Sequence, residues 1–342
     1  MLMSDPKDLS APSSPTGIIA ARLNVAVEAA KMTVDLANLT AGPWAAQQTL
    51  TQTGRIESTS ESKWTCLPLR SPAGAVERTD PGGPGIDDYK FTRLVHETPN
   101  ILRLLTALPT QLRSVRLMSL APSATVAEHR DTPTGLDFGL LRLHVPITTN
   151  PGAVLTIDGV DHCWQPGSLW YGDFSKPHKV ANLGRESRVH LVIDCVVTPE
   201  LLALFPHQFR EQVSSSSVLF HRSEVPLHRA ELTLFEGTCQ LPESFLQLDE
   251  EVRNNGEPDI AANIDGSDGS LTLRTAGGGR YGLVHVGRGE FRLTGWIEER
   301  GLHLCPSEFT IRFFSRRGCA ERSVIRPFTP TLRALSKHPG RR

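Results

Sequence analysis

A histidine and an aspartate stand two residues apart at His129-Arg130-Asp131, just past an apolar run. A second histidine, His178, follows on a later run, and Arg188 lies ten residues beyond it. Two imidazoles and one carboxylate form the ligand set that holds a non-haem Fe(II) on one face and leaves three positions open. A guanidinium at a short distance past the last ligand suits a dicarboxylate, because its planar fork grips a carboxylate through two parallel hydrogen bonds. Together these residues point to an Fe(II) and 2-oxoglutarate dependent oxygenase, with metal ligands His129, Asp131 and His178 and a co-substrate clamp at Arg188. The competing reading is a chance His-x-Asp pair, two ordinary surface or core histidines and an arginine in a surface ion pair. The third ligand and the arginine, both in register, favour the first.

Such ligands need strands under them. Residues i and i+2 of a strand share a face, so His129 and Asp131 can reach one ion, and Arg142 and His144 can point inward together. Short apolar runs at 115–120, 124–126, 140–147, 153–157, 168–171, 179–181 and 189–197 are separated by Gly, Pro, Asn and Asp. That spacing predicts a mainly β fold, a double-stranded β-helix (a cupin-like jelly roll) with flanking helices. Its mouth would bring the 129–131 segment and His178 together. Apolar residues at helical intervals predict a buttressing helix over 18–39, closed by Asn38 and Gly42-Pro43. A strand is expected at 64–69, a loop at 76–88 and a short helix at 100–108 with Asn100 as its cap.

The chain has 342 residues, 39% of them hydrophobic and 21% charged, as in globular proteins. A net charge of −1 supplies no field that would select nucleic acid or an anionic membrane. No apolar run approaches a bilayer span. Six cysteines are scattered without metal-ligand spacing, and the first residues lack a basic-then-apolar pattern, so the expected compartment is the cytoplasm.

Residues 115–194 closely resemble the aspartyl/asparaginyl β-hydroxylase family, including bacterial members that hydroxylate free amino acids such as proline. The resemblance is carried by Arg116-Leu117, Pro122, Glu128-His129-Arg130-Asp131, Arg142-Leu143-His144, Gly167-Ser168-Leu169, Asp173, His178-Lys179-Val180, Asn182 and Arg188-Val189-His190-Leu191-Val192-Ile193-Asp194. A looser similarity reaches back to Trp64-Thr65-Cys66-Leu67-Pro68-Leu69. It implies that His129, Asp131 and His178 hold iron, that Arg188 pairs with the distal carboxylate of 2-oxoglutarate, and that Arg142 and His144 flank its keto-acid end. O2 is the implied oxidant and ascorbate an accessory reductant, and the substrate is an amino acid or small peptide. Two departures stand out. The mammalian peptidyl members lack the acidic ligand that this chain keeps at Asp131, which leaves no vacancy for a halide and implies hydroxylation. A serine that helps those enzymes hold the distal carboxylate falls at Met118, with Ser119 beside it.

The expected organisation is a disordered segment 1–17, an oxygenase domain 18–205, and a β-rich accessory region 206–342 with a linker at 214–217 and a basic tail from Arg316. In that region runs at 231–235, 270–274, 281–286, 290–297 and 308–314 alternate like strands, and 242–252 reads as helical. Three roles are open to it: capping the site, recognising a peptide or carrier protein, or forming a homodimer. Gly277-x-Gly279-x-x-Gly282 and Asp265-Gly-Ser-Asp268-Gly are expected to be turns rather than a dinucleotide or calcium loop. Two further functional readings stay open: the same iron site ending in desaturation or another oxidation, and a cupin-like metal-binding sensor without turnover.

Overall fold

Alternation along the strands sorts the residues of this chain into two kinds of face, and both are buried. In the strand Arg188–Val196 every residue is buried. Val189, Leu191, Ile193 and Cys195 turn one way into an apolar core. Arg188, His190 and Asp194 must therefore turn the other way. The neighbouring strand Leu140–Thr148 repeats the division, with Leu141, Leu143 and Val145 in the apolar core and Arg142 and His144 opposite. A charged face that is nonetheless buried marks where the chemistry lies.

The computed structural model describes residues 2–3, 17–39, 44–50, 56–58, 63–248, 251–253, 256–267 and 269–331. The expected disorder over 1–17 and the end of the basic tail therefore fall almost wholly outside the described residues. The chain divides into two compact units, residues 1–82 with 89–220, and residues 83–88 with 221–342. Residues 206–220 thus pack with the first unit rather than the second, since Phe209 and Val218 are buried in its core.

In the first unit the chain from Leu112–Leu120 to Arg188–Val196 passes back and forth between two antiparallel sheets. The larger has the order Ala20–Arg22, Trp170–Gly172, Leu140–Thr148, Arg188–Val196, Leu112–Leu120, Trp64–Pro72, Ala45–Ala46, and Tyr89–Phe91 also pairs with Trp64–Pro72. The smaller has the order Val160–His162, Ala153–Ile157, His178–Asn182, Ala124–His129. This alternation is the expected double-stranded β-helix. Each apolar run of 115–197 overlaps a strand, although the run 168–171 enters its strand only at Trp170.

The helices cover the apolar face of the larger sheet. The expected helix over 18–39 is shorter and begins at Ala29. Residues Ala20–Arg22 form instead an edge strand, paired with Trp170–Gly172. An open sheet edge offers the backbone a ladder of hydrogen bonds, which outweighs a weak local helical preference. The second helix is Pro99–Ala107, so Asn100 lies inside it and is not its cap. Its free N–H groups at Asn100 and Ile101 donate to Oδ2 of Asp35, 2.8 and 2.7 Å away on the other helix. A buried carboxylate thus supplies the helix start from a distance.

The second unit is a closed barrel of eight antiparallel strands in chain order, from Gly237–Pro242 to Ala320–Pro330, which pairs back onto the first. Closure removes exposed edges. Phe245, Phe291, Phe313 and Phe328 are fully buried in this unit. Buried Arg300 donates to the carbonyls of Ser244, Phe245 and Gln247. The run 231–235 is helical rather than a strand, because Glu231 accepts from the His228 N–H at 2.7 Å and caps a turn at Arg229–Leu232. Among the described residues of 242–252 only one 3-10 turn, Glu243–Leu246, forms, since Pro242 ends a strand. Gly278 and Gly269, both at positive φ, sit at hairpin turns, as expected for the two glycine-rich motifs. The first part of the basic tail lies in strands, with Arg316 paired to Glu290 and Glu321. Among the described residues no helix is long and apolar enough to cross a membrane.

Candidate active site

His129 ends one strand of the smaller sheet and His178 opens its neighbour, and the two are direct partners across the ladder. This register brings their ring centroids to 4.2 Å. Asp131 is held from the other side, its N–H donating to the Phe174 carbonyl at 2.8 Å. Nε2 of His129 lies 3.5 Å from one carboxylate oxygen of Asp131, and Nε2 of His178 lies 3.4 Å from the other. One ligand atom from each residue falls within 4.8 Å of the rest.

The rings are also set in the right tautomer. Nδ1 of His129 is 2.8 Å from the Ala127 carbonyl, and Nδ1 of His178 is 2.9 Å from the Lys176 carbonyl. A carbonyl only accepts, so each Nδ1 carries the hydrogen and each Nε2 offers its lone pair to the centre. Burial keeps His129 neutral by lowering its pKa, with Asp131 opposing. The donor set fits a divalent iron.

Arg142, which the resemblance places beside a keto acid, lines the same cavity and is also tied to two carboxylates. Its Nη1 donates to Oδ2 of Asp131 at 2.6 Å, and its Nε and Nη2 donate to Asp194 at 2.7 and 2.9 Å. Three of its five N–H donors are therefore committed to carboxylates, and Arg142 orients Asp131. Burial alone would raise the Asp131 pKa, but His178, Arg142 and His129 outweigh it and hold the carboxylate well below its ordinary range. Arg116 reaches Asp194 from the other side, with Nη2 at 3.2 Å, and donates to the Thr79 carbonyl. Asp194 is thus the shared counter-ion of two buried guanidiniums. Asp194→Ala is expected to destabilise the metal-free protein by about 3–5 kcal/mol, the cost of leaving buried charge unpaired. Urea unfolding with and without the substitution measures it.

Arg188 is the exception among these cations. It is buried on the cavity wall with the metal ligands, and among the described residues no carboxylate pairs with it. Burial lowers its pKa to about 10, so it still carries its charge at neutral pH. Its Nη2 contacts Nδ1 of His190 at 3.0 Å. His144 lines the same cavity, its ring stacked on Phe174 at 4.8 Å, while Phe174 packs edge-on against His178 at 4.9 Å. Met118 stands on the cavity wall where the peptidyl enzymes have serine. Ser119 takes the opposite face of that strand, so it does not replace the missing hydroxyl.

The residues singled out from the sequence, His129, Asp131, His178, Arg188, Arg142 and His144, all line one cavity, whereas Asp194, Arg116 and Phe174 were assigned no role. Arg116 and Asp194 did leave a trace: each is a charge inside a predominantly apolar run. His190, read as a core or supporting histidine, is one contact removed from the cavity.

Residues 30–198 match the model of the aspartyl/asparaginyl beta-hydroxylase family. The L-proline cis-4-hydroxylase of Rhizobium meliloti (strain 1021) is 29% identical over 102 residues, which is 30% of this chain and 34% of that protein. The alignment thus spans about a third of the length of that curated relative. A 2OG-Fe(II) oxygenase family oxidoreductase from Burkholderia pseudomallei is similar in structure at 12% identity, covering 47% of this chain and 76% of that one, with a TM-score of 0.33. The cupin domain of an XRE family transcriptional regulator from Enterobacter cloacae is similar at 19% identity, covering 25% and 82%, with a TM-score of 0.21. Over residues 30–198, with the ligand set intact, this chain is thus similar to the aspartyl/asparaginyl beta-hydroxylase family.

Proposed function

We propose that this protein is an Fe(II) and 2-oxoglutarate dependent hydroxylase of an amino-acid side chain, free or within a small peptide. His129, Asp131 and His178 would hold the iron and Arg188 the distal carboxylate of 2-oxoglutarate, which leaves as succinate and CO2. The observation that carries this reading is Arg188, a buried cation with no carboxylate partner among the described residues, on the wall of the cavity that holds the three candidate ligands. Such a charge is costly unless an anion pairs with it, and a metal-binding sensor has no use for one there.

Iron bound at this site supplies activation of O2 and attack on an unreactive C–H bond. The chain supplies orientation and dryness: Trp64, Leu155, Val180 and Val192 line the same cavity. Arg116 also faces it, and its Nε is buried without a partner. That favours a substrate with its own carboxylate, as an amino acid has. The name of the Rhizobium meliloti relative agrees with a proline-like substrate.

The test is succinate release from 2-oxoglutarate by purified protein with Fe(II), O2 and ascorbate, across a panel of amino acids and short peptides. Release that rises with one substrate, and a product heavier by one oxygen, is expected. A product lighter by two hydrogens would mean desaturation instead. No release, together with no visible charge-transfer band when Fe(II) and 2-oxoglutarate are mixed anaerobically with the protein, would overturn the reading.

A further inference from the structure

The glycine-rich stretch that follows Trp64–Pro72 is held at both of its halves. The first half is stitched to the wall of the active-site cavity. Thr79 is fully buried: its N–H donates to Oε1 of Gln48 at 3.0 Å, and its hydroxyl donates to the Ala46 carbonyl at 2.8 Å. The Thr79 carbonyl accepts from Nη1 of Arg116 at 3.3 Å. Gln48, Pro81 and Arg116 all line the cavity. Asp80 accepts from the Gly82 N–H at 2.9 Å, and the Tyr89 hydroxyl donates to the Pro81 carbonyl at 2.8 Å, which closes a neck. The lobe beyond that neck, Gly83–Asp88, belongs to the second unit. There the Gly85 N–H donates to the Thr294 carbonyl at 3.0 Å, and the Gly85 carbonyl accepts from the Gly282 N–H at 2.8 Å. Gly282 lies in the barrel strand Arg280–Gly287, and Thr294 directly follows the strand Glu290–Leu293. Gly295 shows how closely the lobe is held, since a Cβ there would lie 2.5 Å from the Gly83 carbonyl oxygen.

We infer that the barrel is a positioning element of the active site: by gripping the lobe at Gly85 it fixes Thr79–Pro81, the part of the cavity wall beside Arg116. The inference rests on the reading of the cavity given above, which favours a substrate carboxylate near Arg116. Residues 81–85 are three glycines and two prolines. Glycine loses more conformational freedom on ordering than any other residue, so this segment keeps one path only while both ends are held. Among the described residues neither Arg188 nor the three candidate ligands bonds to it. The grip therefore acts on substrate recognition, and not on the metal or the co-substrate.

The test is made on the full chain, loaded with Fe(II) under anaerobic conditions. Gly85→Pro removes the N–H that Thr294 accepts, and Gly85→Ala, whose Cβ would meet nothing within 4 Å, is the control. Hydrogen exchange is followed by mass spectrometry, with peptides that separate 76–82 from 83–88. In Gly85→Pro exchange over 76–82 is expected to quicken about tenfold, the worth of one backbone hydrogen bond. KM for the substrate identified by the panel above should rise by a similar factor. Affinity for 2-oxoglutarate, read by the charge-transfer band, should hold within about twofold, because the clamp is untouched. Gly85→Ala should change none of these. Faster exchange confined to 83–88 would overturn the inference, and so would a loss of 2-oxoglutarate affinity as large as that of substrate. If Gly85→Pro fails to fold, the unsubstituted protein decides. Protection of 83–88 that is lost together with that of 280–294 is expected, and exchange of 83–88 at the rate of an unstructured chain would refute the grip. If no substrate turns over, the functional reading falls, while exchange over 76–82 still shows whether the barrel holds the wall.

Discussion

Asp131→Ala and His178→Ala are each expected to lower Fe(II) affinity by more than about 100-fold, since even changes to groups that merely orient a ligand cost 10–100-fold. Turnover should disappear with the metal, while the fold persists. The reason is the division of faces: the core residues of the larger sheet lie on the side away from the ligands, against the helices. The two variants differ in one instructive way. Asp131→Ala also takes a partner from Arg142, leaving that guanidinium with Asp194 alone, whereas His178→Ala leaves the charge network whole. Metal-free His178→Ala should therefore unfold closer to the unsubstituted protein than Asp131→Ala does. Anaerobic Fe(II) titration and thermal unfolding check both points, and full Fe(II) affinity in either variant would show the ligands to be misassigned.

The second large effect is at Arg188, and it has opposite signs in the two states of the protein. Arg188→Leu is expected to weaken 2-oxoglutarate by at least about 100-fold, because two charge-assisted hydrogen bonds to a desolvated carboxylate are lost. The same change should stabilise the protein without its co-substrate, by about 1–4 kcal/mol, since it replaces an uncompensated buried charge with apolar bulk. Arg188→Lys should restore the charge but not the affinity, because an ammonium lacks the planar fork. Paired measurements of 2-oxoglutarate affinity and Tm decide this. Loss of affinity accompanied by a lower Tm in the free protein would mean that Arg188 is a structural residue. A site built this way holds its clamp at a cost to the empty fold, which the bound dicarboxylate offsets.

The charge network explains why the site keeps three cations around two carboxylates. Asp194 neutralises one of Arg116 and Arg142, and Asp131 is claimed by iron when the metal is present, so the balance is met only with anions in the cavity. That requirement is the physical link between the fold and the proposed reaction, in which the co-substrate is a dicarboxylate and the substrate carries a carboxylate.

Local pattern in the sequence determined the chemistry and the kind of scaffold. The i, i+2 spacing of His129 and Asp131, the arginine ten residues past His178, and apolar runs broken by turn residues are short-range properties that survive in any register. Charges embedded in those runs at Arg116, Arg142, Arg188 and Asp194 already signalled a buried polar face. The tertiary structure decided which of these groups met. His129 against His178, Asp194 between Arg116 and Arg142, and His190 between Arg188 and His144 are pairings between distant segments or across the sheet interior. They depend on strand register, which local periodicity does not encode. The same reason governs the misread elements. Residues 20–22 became a strand because a sheet edge needed a partner, Asp35 took the capping role expected of Asn100, and the eight strands of the second unit closed into a barrel through a pairing between its first and last. Spacing along the chain chose the reagents, and long-range register set which of them became ligand, clamp or support.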